Sequence, residues 1–320
     1  MRAQLEGVVA DTRRLVGAVR MPRARYGFGN VVEPALPRGE MIDLPGRGRT
    51  FVRMVDGPAD AIPVMLLHGW SWNADLNFAG VFEALGEHHP VIAPDIRLHG
   101  RGPRMAGDFH VQDATDDAIA LLDALGIESA LLCGFSMGGV LTADASLRYP
   151  DRVAGLVVQA AAACYTDTAR ERALWRSLLA MLPLAQRGGG PDLAARYLAG
   201  SLRGNAELMA RWGWIRRELS RTTLLEMLTV AGEVARADLR PALHAPAVQP
   251  GEFLLTTEDR LCPPIAQRDL ADRLGIPVVE IGTDHDLPIA QPDRYADLTV
   301  SAVLRVAETI RKVGVYEHTA

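Results

Sequence analysis

One serine in a short glycine-rich stretch is the residue best placed to do chemistry. The stretch reads Gly134-Phe135-Ser136-Met137-Gly138, with an apolar run before it and an Ala/Leu/Val pattern at helical spacing after it. This pattern predicts a buried strand, a tight turn and a helix, with Ser136 at the turn. A Gly-x-Ser-x-Gly turn holds its serine strained and exposed at the carboxyl end of a strand. We therefore interpret Ser136 as a catalytic nucleophile.

A serine hydroxyl is a weak nucleophile, so the site also needs a base to take its proton and a third group to orient that base. Among the eight histidines, His285 follows the last predicted strand, in the loop Gly282-Thr283-Asp284-His285-Asp286. Catalytic groups in parallel sheets collect at the carboxyl ends of strands. The sequence therefore predicts His285 as the base.

The acid that would orient this base is predicted at the end of the preceding strand. Asp259 follows residues 252–257, an apolar run of strand type. The order Ser136, Asp259, His285 is one of the known chain orders of such triads. Asp284 and Asp286, which flank the histidine, remain as alternative acids. Glu258 is less favoured, because adjacent strand residues face opposite ways.

Acyl transfer also needs hydrogen-bond donors for the oxyanion of its transition state. The first is predicted to be the backbone N–H of Met137, at the start of the helix after the nucleophile. The second is the N–H of Trp70, since His68-Gly69-Trp70 ends the strand before the first helix. Trp70, Trp72 and Phe135 would place aromatic surface beside the substrate. His68 is expected to organise the loop by hydrogen bonding rather than to act in catalysis.

The elements that must position these residues are short apolar runs that alternate with helical segments. Such alternation predicts an α/β fold with a parallel sheet covered on both faces. Before it, residues 40–44 and 49–55 predict an antiparallel hairpin. The pattern stops between residues 164 and 245, where only helix-like segments occur. We therefore divide the chain into an N-terminal amphipathic helix and extended arm, an α/β core and a helical cap inserted in that core: residues 1–38, residues 39–163 with 246–320, and residues 164–245.

Composition limits the binding partners and the cellular location that can be expected for the protein. The formal net charge of −5 gives no electrostatic footprint for nucleic acid. The three cysteines lack metal-ligand spacing and indicate a reducing, cytoplasmic setting. No apolar run approaches the length that spans a bilayer, and acidic residues interrupt any signal-peptide pattern. Residues 1–25 form a basic amphipathic pattern, which we expect to pack on its own domain, with contact to a membrane surface as the alternative. Oligomeric state is left open.

Taken together, the motifs resemble the α/β-hydrolase superfamily, in the group of serine hydrolases with a helical cap. The resemblance covers about residues 40–312, and it implies an eight-stranded, mostly parallel sheet. Leu98 stands where this superfamily usually has a glycine between arginine and histidine. The stretches that carry the resemblance are His68-Gly69-Trp70, Pro94-Asp95-Ile96-Arg97-Leu98-His99-Gly100, Gly134-Phe135-Ser136-Met137-Gly138-Gly139, Glu258-Asp259-Arg260-Leu261-Cys262-Pro263-Pro264 and Asp284-His285.

These residues predict an intracellular serine hydrolase that forms an acyl-enzyme on a small or medium apolar ester, with no metal or organic cofactor. Related chemistry on the same serine elbow is the alternative: C–C bond hydrolysis, acyl transfer or cofactor-free perhydrolysis. A non-catalytic receptor that uses the pocket for ligand binding is a further hypothesis. An aspartate at position 136 would favour dehalogenase or epoxide hydrolase chemistry, and Ser136 argues against both.

Overall fold

An eight-stranded sheet forms the centre of the computed structural model, which describes residues 33–104, 109–187, 206–244 and 246–314. The sheet order is β1-β2-β4-β3-β5-β6-β7-β8. The pairs β1–β2 and β2–β4 are antiparallel, and every other neighbouring pair is parallel. The eight-stranded, mostly parallel sheet and the N-terminal hairpin are therefore confirmed. The strands are β1 (Gly39–Leu44), β2 (Gly48–Val55), β3 (Val64–Leu67), β4 (Val91–Pro94), β5 (Ala130–Phe135), β6 (Val153–Gln159), β7 (Gly251–Thr256) and β8 (Val278–Ile281).

Helices connect the strands and cover both faces of the sheet. Among the described residues they are α1 (Ala74–Phe78), α2 (Phe82–Gly86), α3 (Val111–Ala124), α4 (Met137–Arg148), α5 (Ala169–Leu179), α6 (Leu182–Gln186), α7 (Ala206–Leu219), α8 (Leu224–Val234), α9 (Pro264–Leu274), α10 (Leu287–Ala290) and α11 (Pro292–Val313).

Two apolar cores lie on opposite faces of the sheet. One packs α3, α4 and α9 against it, and the other packs α1, α2, α7 and α11. The four strands β3, β4, β5 and β6 are buried along their whole length. Burial on both faces explains why these strands read as continuous apolar runs without alternation.

The region after β3 differs in one respect from the sequence prediction. The helical pattern of residues 75–85 predicts a single helix, but the chain forms two short helices, α1 and α2. The junction passes close to α11, because a Cβ on Gly80 would lie 3.3 Å from the carbonyl oxygen of Pro292. The junction between the two short helices therefore packs against the C-terminal helix.

The helices between β6 and β7, α5 to α8, are called the insert helices here. Two of them, α5 and α8, start with a capping box, formed by Thr168 with Glu171 and by Thr223 with Glu226. Such reciprocal bonds satisfy backbone N–H groups at a helix start.

The division into core and cap remains a prediction. The amphipathic helix expected near the N-terminus lies within residues 1–32, outside the described residues. Within the described ranges, no helix is long and apolar enough to span a bilayer.

Candidate active site

Ser136 lies at a strained turn between β5 and α4. Its φ of 54° and ψ of −116° place a non-glycine residue at positive φ, which is unfavourable for a side chain with a Cβ. The turn is tight, because a Cβ on Gly134 would overlap the carbonyl oxygen of Gly138, and a Cβ on Gly138 would overlap that of Leu67. The Ser136 N–H donates to the carbonyl of Gln159 in β6 at 2.8 Å. The glycines are thus required by the close approach of neighbouring backbone.

The structure brings together the three residues predicted as nucleophile, base and acid. His285 Nε2 lies 2.9 Å from Ser136 Oγ, and His285 Nδ1 lies 2.7 Å from Asp259 Oδ2. The three residues follow β5, β7 and β8, so they meet at one edge of the sheet. Both distances are those of hydrogen bonds, so the geometry permits a proton to move from the serine to the imidazole.

Asp259 is held by backbone and side-chain donors on both carboxylate oxygens. Oδ1 accepts from the N–H groups of Leu261 at 2.9 Å and Cys262 at 2.7 Å. Oδ2 accepts from Thr256 Oγ1 at 2.7 Å in addition to facing His285. The carboxylate is buried, and these bonds fix the direction in which it meets the imidazole ring.

The two aspartates beside His285 are oriented differently. Asp284 Oδ2 pairs with Arg260 Nε at 2.7 Å, and Asp284 Oδ1 accepts the backbone N–H of His285. Burial raises the pKa of Asp286, and the neighbouring charge of Asp284 raises it further. Neither aspartate is hydrogen-bonded to the imidazole ring, and Glu258 is exposed. The geometry therefore favours Asp259 over the three alternatives.

The electrostatics around His285 favour its protonated form. Burial lowers the pKa of the ring, but the carboxylate of Asp259 raises it, as do the charges of Asp284 and Asp286. The net pKa is above the ordinary value of 6.5. A base of raised pKa holds a proton taken from a serine hydroxyl more strongly.

The loop predicted to supply an oxyanion donor lies against the nucleophile. A Cβ on Gly69 would be 3.5 Å from the Cβ of Ser136. On the other side, Met137 is the first residue of α4, where backbone N–H groups have no partner within the helix. The two predicted donors, the N–H groups of Trp70 and Met137, therefore belong to segments that flank Ser136.

His68 is fully buried and fixes the peptide that carries the Trp70 N–H. Its Nε2 accepts the backbone N–H of Ile96 at 2.9 Å, so the ring proton is on Nδ1, which donates to Gly69 O at 2.8 Å. Burial lowers the pKa of His68 to about 4, so the ring is neutral at pH 7. Because C=O and N–H of a trans peptide point in opposite directions, holding Gly69 O sets the direction of the Trp70 N–H. His68 organises this loop, as expected.

The three aromatic residues predicted beside the substrate differ in burial. Trp72 and Phe135 are buried and stack on each other at 5.6 Å, with Phe135 also 5.1 Å from the ring of His285. Trp70 is half-buried, packs 5.8 Å from Trp175 of α5, and donates from Nε1 to Met227 O of α8 at 2.9 Å. Substrate contact by all three stays a prediction, and Trp70 is the most accessible of them.

Sequence reasoning missed Tyr165, which follows β6 at the same edge of the sheet. Its side chain is buried and packs 6.2 Å from Trp175, and its hydroxyl accepts the backbone N–H of Ala162 at 3.3 Å. Burial raises its pKa well above the ordinary tyrosine value, so the hydroxyl stays protonated. Its position could have indicated it, because it comes shortly after β6, and the neighbouring strands β5 and β7 are followed by Ser136 and Asp259.

Leu98 shows how the chain accommodates the residue that replaces a usual glycine. Its φ is 61°, in the left-handed region that glycine adopts most readily. Its N–H donates to Pro103 O at 3.0 Å, which closes the loop after β4. The turn therefore keeps a glycine-like backbone with a leucine in place.

Comparison with known proteins identifies the family. The model of the family described as "Alpha/beta hydrolase family" matches residues 64–298. The chain belongs to this family. One relative, a putative non-heme haloperoxidase of Mycobacterium phage D29, is 29% identical over 76% of this chain and 87% of its own length. A second, the bifunctional esterase/perhydrolase of Acinetobacter calcoaceticus, is 35% identical over 30% of this chain and 34% of its own length.

Solved structures show the same fold in family members. A hydrolase from Pseudomonas aeruginosa PA01 superposes with a TM-score of 0.71, covering 84% of this chain and 98% of that one at 22% identity. At this identity the likeness concerns the fold. The predicted α/β-hydrolase resemblance is thus confirmed.

Proposed function

We propose that the protein is a serine hydrolase that cleaves a carboxylic ester through an acyl-enzyme intermediate. The observation that carries the proposal is the hydrogen-bonded series of Ser136, His285 and Asp259 at one sheet edge. Membership of a hydrolase family supports the enzyme class, and the esterase named among its relatives supports the ester bond. The small-molecule ester is the proposed partner, and the chemistry requires no metal or organic cofactor.

In the acylation step, His285 Nε2 takes the proton of Ser136 Oγ as the oxygen attacks the ester carbonyl carbon. Asp259 holds the ring so that Nε2 faces the serine, and its charge stabilises the imidazolium that forms. The N–H groups of Met137 and Trp70 stabilise the oxyanion, a contribution of about 10²–10³ in rate for each donor in comparable sites. His285 then protonates the departing alkoxide.

In the deacylation step, the same imidazole activates a water molecule. The water attacks the acyl carbonyl, its proton passes to His285 Nε2, and the tetrahedral intermediate collapses to the free acid. Ser136 Oγ leaves with the proton from His285. The enzyme returns to its starting state, so one catalytic set serves both halves of the reaction.

Apolar aromatic side chains near the nucleophile favour a small or medium apolar substrate. Residues 68–70 are called the oxyanion loop here. A series of ring contacts joins this loop to α5, from Trp70 to Trp175 and from Trp175 to Tyr165. Tyr165 and Ser136 follow the neighbouring strands β6 and β5, which places one end of this series at the same sheet edge as the nucleophile. Such surfaces bind apolar acyl groups while a few polar groups orient the reacting carbonyl.

Perhydrolysis is the second candidate reaction. It differs in that hydrogen peroxide rather than water attacks the acyl-enzyme and gives a peracid. The names of two relatives, a haloperoxidase and an esterase/perhydrolase, favour it. C–C bond hydrolysis, acyl transfer and a receptor role remain alternatives from the sequence.

The proposal also includes a cytoplasmic location, on the evidence of three free, buried cysteines.

The test is labelling with a fluorophosphonate combined with turnover of a p-nitrophenyl ester series, with and without hydrogen peroxide. We expect the wild-type protein to be labelled and Ser136→Ala to lose both labelling and turnover. Ser146→Ala is the matched control, since Ser146 is buried in α4 and its hydroxyl donates to Ala143 O of the same helix. Labelling that survives Ser136→Ala, or an absence of turnover in the wild type, would contradict the proposal.

A further inference from the structure

Asn77 in α1 is a buried polar residue that joins the oxyanion loop to the C-terminal helix. Its Oδ1 accepts the backbone N–H of Gly69 at 2.9 Å, and its Nδ2 donates to the hydroxyl of Tyr295 at 3.0 Å. Asn77 and Tyr295 are each about 2% exposed, so water does not compete for these bonds. An amide side chain with both ends bonded has one orientation, and it presents its oxygen to Gly69.

Further buried polar contacts lie between α11 and the strand and turn that carry Ser136. Thr299 lies one turn further along α11 from Tyr295, and its Oγ1 lies 3.4 Å from Gln159 Nε2. Gln159 donates to Cys133 Sγ at 3.1 Å, and its backbone carbonyl accepts the Ser136 N–H. The polar side chains of this network are all buried. The network therefore links the loop after β3 to the strand and turn that carry the nucleophile.

Gly69 is held on both sides by this arrangement. Asn77 holds its N–H, and the Nδ1–H of His68 holds its carbonyl oxygen. The peptide that follows carries the N–H of Trp70. With both flanking groups fixed, this N–H has little freedom to turn away from the space beside Ser136. Donors fixed before the reaction stabilise an oxyanion without further reorganisation.

We infer that Asn77, oriented by Tyr295, is a positioning residue that aims the Trp70 N–H at the oxyanion. The inference rests on the proposed acyl-transfer function. It assigns a role in the transition state to two residues that touch neither the nucleophile nor its base. The effect should appear in the chemical step and in the binding of tetrahedral mimics, and not in the binding of the ester itself.

The first test is Asn77→Leu, which removes the acceptor and keeps a side chain of similar size. We expect kcat to fall by about 10²-fold, approaching the loss of one oxyanion donor. KM should stay within about threefold of wild type, because ground-state binding is retained. The affinity of a trifluoromethyl ketone, which forms a tetrahedral adduct with the serine, should fall in parallel with kcat. Amide hydrogen exchange at residues 69 and 70 should become faster.

Tyr295→Phe tests the same inference if Asn77→Leu does not fold. It removes one hydroxyl in a conservative exchange and leaves the Asn77 side chain in place. We expect kcat to fall about threefold to tenfold, the worth of one hydrogen bond, with KM again unchanged. Trifluoromethyl ketone affinity should fall by the same factor. A Tyr295→Phe protein with wild-type kcat and inhibitor affinity would overturn the role of the hydroxyl.

Asn73→Ala is the matched control in the same helix. Asn73 caps α1 through a bond to the Leu76 N–H and donates from Nδ2 to Glu218 of α7, and neither of these side-chain bonds involves Gly69. Loss of the cap should lower the melting temperature and leave kcat and inhibitor affinity near wild type. Equal losses of kcat in Asn73→Ala and Asn77→Leu would overturn the inference, because general disturbance of α1 would explain both.

The outcomes separate this inference from the proposed function. If the wild-type protein turns over esters and Asn77→Leu does so within about threefold of it, only the inference fails. If the wild type neither turns over esters nor reacts with a fluorophosphonate, both fail. Faster exchange at residues 69 and 70 with a parallel fall in kcat and inhibitor affinity supports both.

Discussion

Asp259 and His285 are joined by a hydrogen bond of 2.7 Å although 26 residues separate them in the chain. Asp284, the immediate neighbour of His285, bonds to the arginine that follows Asp259. The loops after β7 and β8 are therefore connected both through the imidazole and through the Arg260 guanidinium. Chain proximity alone would favour Asp284 or Asp286 as the acid, whereas the contact with the imidazole favours Asp259.

Replacing Asp259 and Asp284 by asparagine, one at a time, should separate their roles. Asp259→Asn should lower kcat by about 10³–10⁴-fold, because an amide at this position favours the wrong imidazole tautomer. Asp284→Asn removes the ion pair with Arg260 and leaves the imidazole contact intact, so its kcat should stay within about tenfold of wild type. Steady-state kinetics on one p-nitrophenyl ester measure both. A larger loss in Asp284→Asn than in Asp259→Asn would reassign the acid.

The pH dependence of kcat/KM should show the raised pKa of His285. The base must be unprotonated to act, so activity should rise with pH through a midpoint above the ordinary value of 6.5. Asp259 contributes most to raising this pKa, so the residual activity of Asp259→Asn should have its midpoint at lower pH. A wild-type midpoint at or below 6.5, or no shift in the variant, would contradict this account of the site.

Two buried histidines should make the fold less stable in acid. Burial lowers the pKa of His68 to about 4 and that of His99 to about 3, each from 6.5. Below pH 6.5 the unfolded chain takes up protons at these positions and the folded chain does not. The free energy of unfolding should therefore fall as pH drops from 6.5 to 4, by up to about 1.4 kcal/mol per pH unit and histidine.

Urea unfolding at several pH values measures this dependence. His99→Gln removes one of the two groups and should reduce the slope of unfolding free energy against pH. The exposed His88 provides the control, and His88→Gln should leave the slope as in wild type. An unchanged slope in His99→Gln would mean that other groups cause the acid sensitivity.

The glycine at the start of α4 should tolerate no side chain. A Cβ on Gly138 would overlap the Leu67 carbonyl, so Gly138→Ala must displace either α4 or β3. We expect a loss of about 3 kcal/mol or more in unfolding free energy, together with loss of fluorophosphonate labelling. Gly46→Ala is the comparison, because Gly46 has a φ of 74° and open space at its Cβ. That change should cost about 1 kcal/mol and preserve labelling.

Truncating the aromatic surface above the nucleophile should change substrate preference. Trp175 is buried between Trp70 and Tyr165, so Trp175→Ala opens space on the acyl side of the proposed site. The optimum of a p-nitrophenyl ester chain-length series should move to longer acyl chains. Leu174, the exposed neighbour on α5, gives the control, and Leu174→Ala should keep the wild-type profile. Identical profiles in both variants would place the acyl group elsewhere.

Residue type and position after a strand were enough to predict Ser136, Asp259 and His285. The parallel sheet brings strand ends together, so three residues far apart in sequence could be expected at one edge. The choice among Asp259, Asp284 and Asp286 remained open because it depends on side-chain direction in two loops. The structure settles which carboxylate faces the imidazole through contacts that no spacing encodes.

Asn77 and Tyr295 carry no signal that sequence analysis could use. They lie 218 residues apart, and each fits an ordinary helical pattern. The same limit explains the predicted helix over residues 75–85. Periodicity is local, and it does not report that Gly80 lies against α11, a helix more than 200 residues later in the chain. Contacts between residues far apart in the chain therefore cannot be predicted from local sequence patterns.

The bond from the Trp70 indole to Met227 O has a consequence for engineering and for evolution. The residue proposed to present the oxyanion donor also anchors α8, and Asn73 at the start of α1 binds Glu218 of α7. The insert helices are thus attached to the same loop and helix that line the proposed site. A chimera that exchanges these helices with those of a relative would have to carry compatible partners for Trp70 and Asn73. We therefore expect exchange of the insert helices to change substrate range and catalytic rate together.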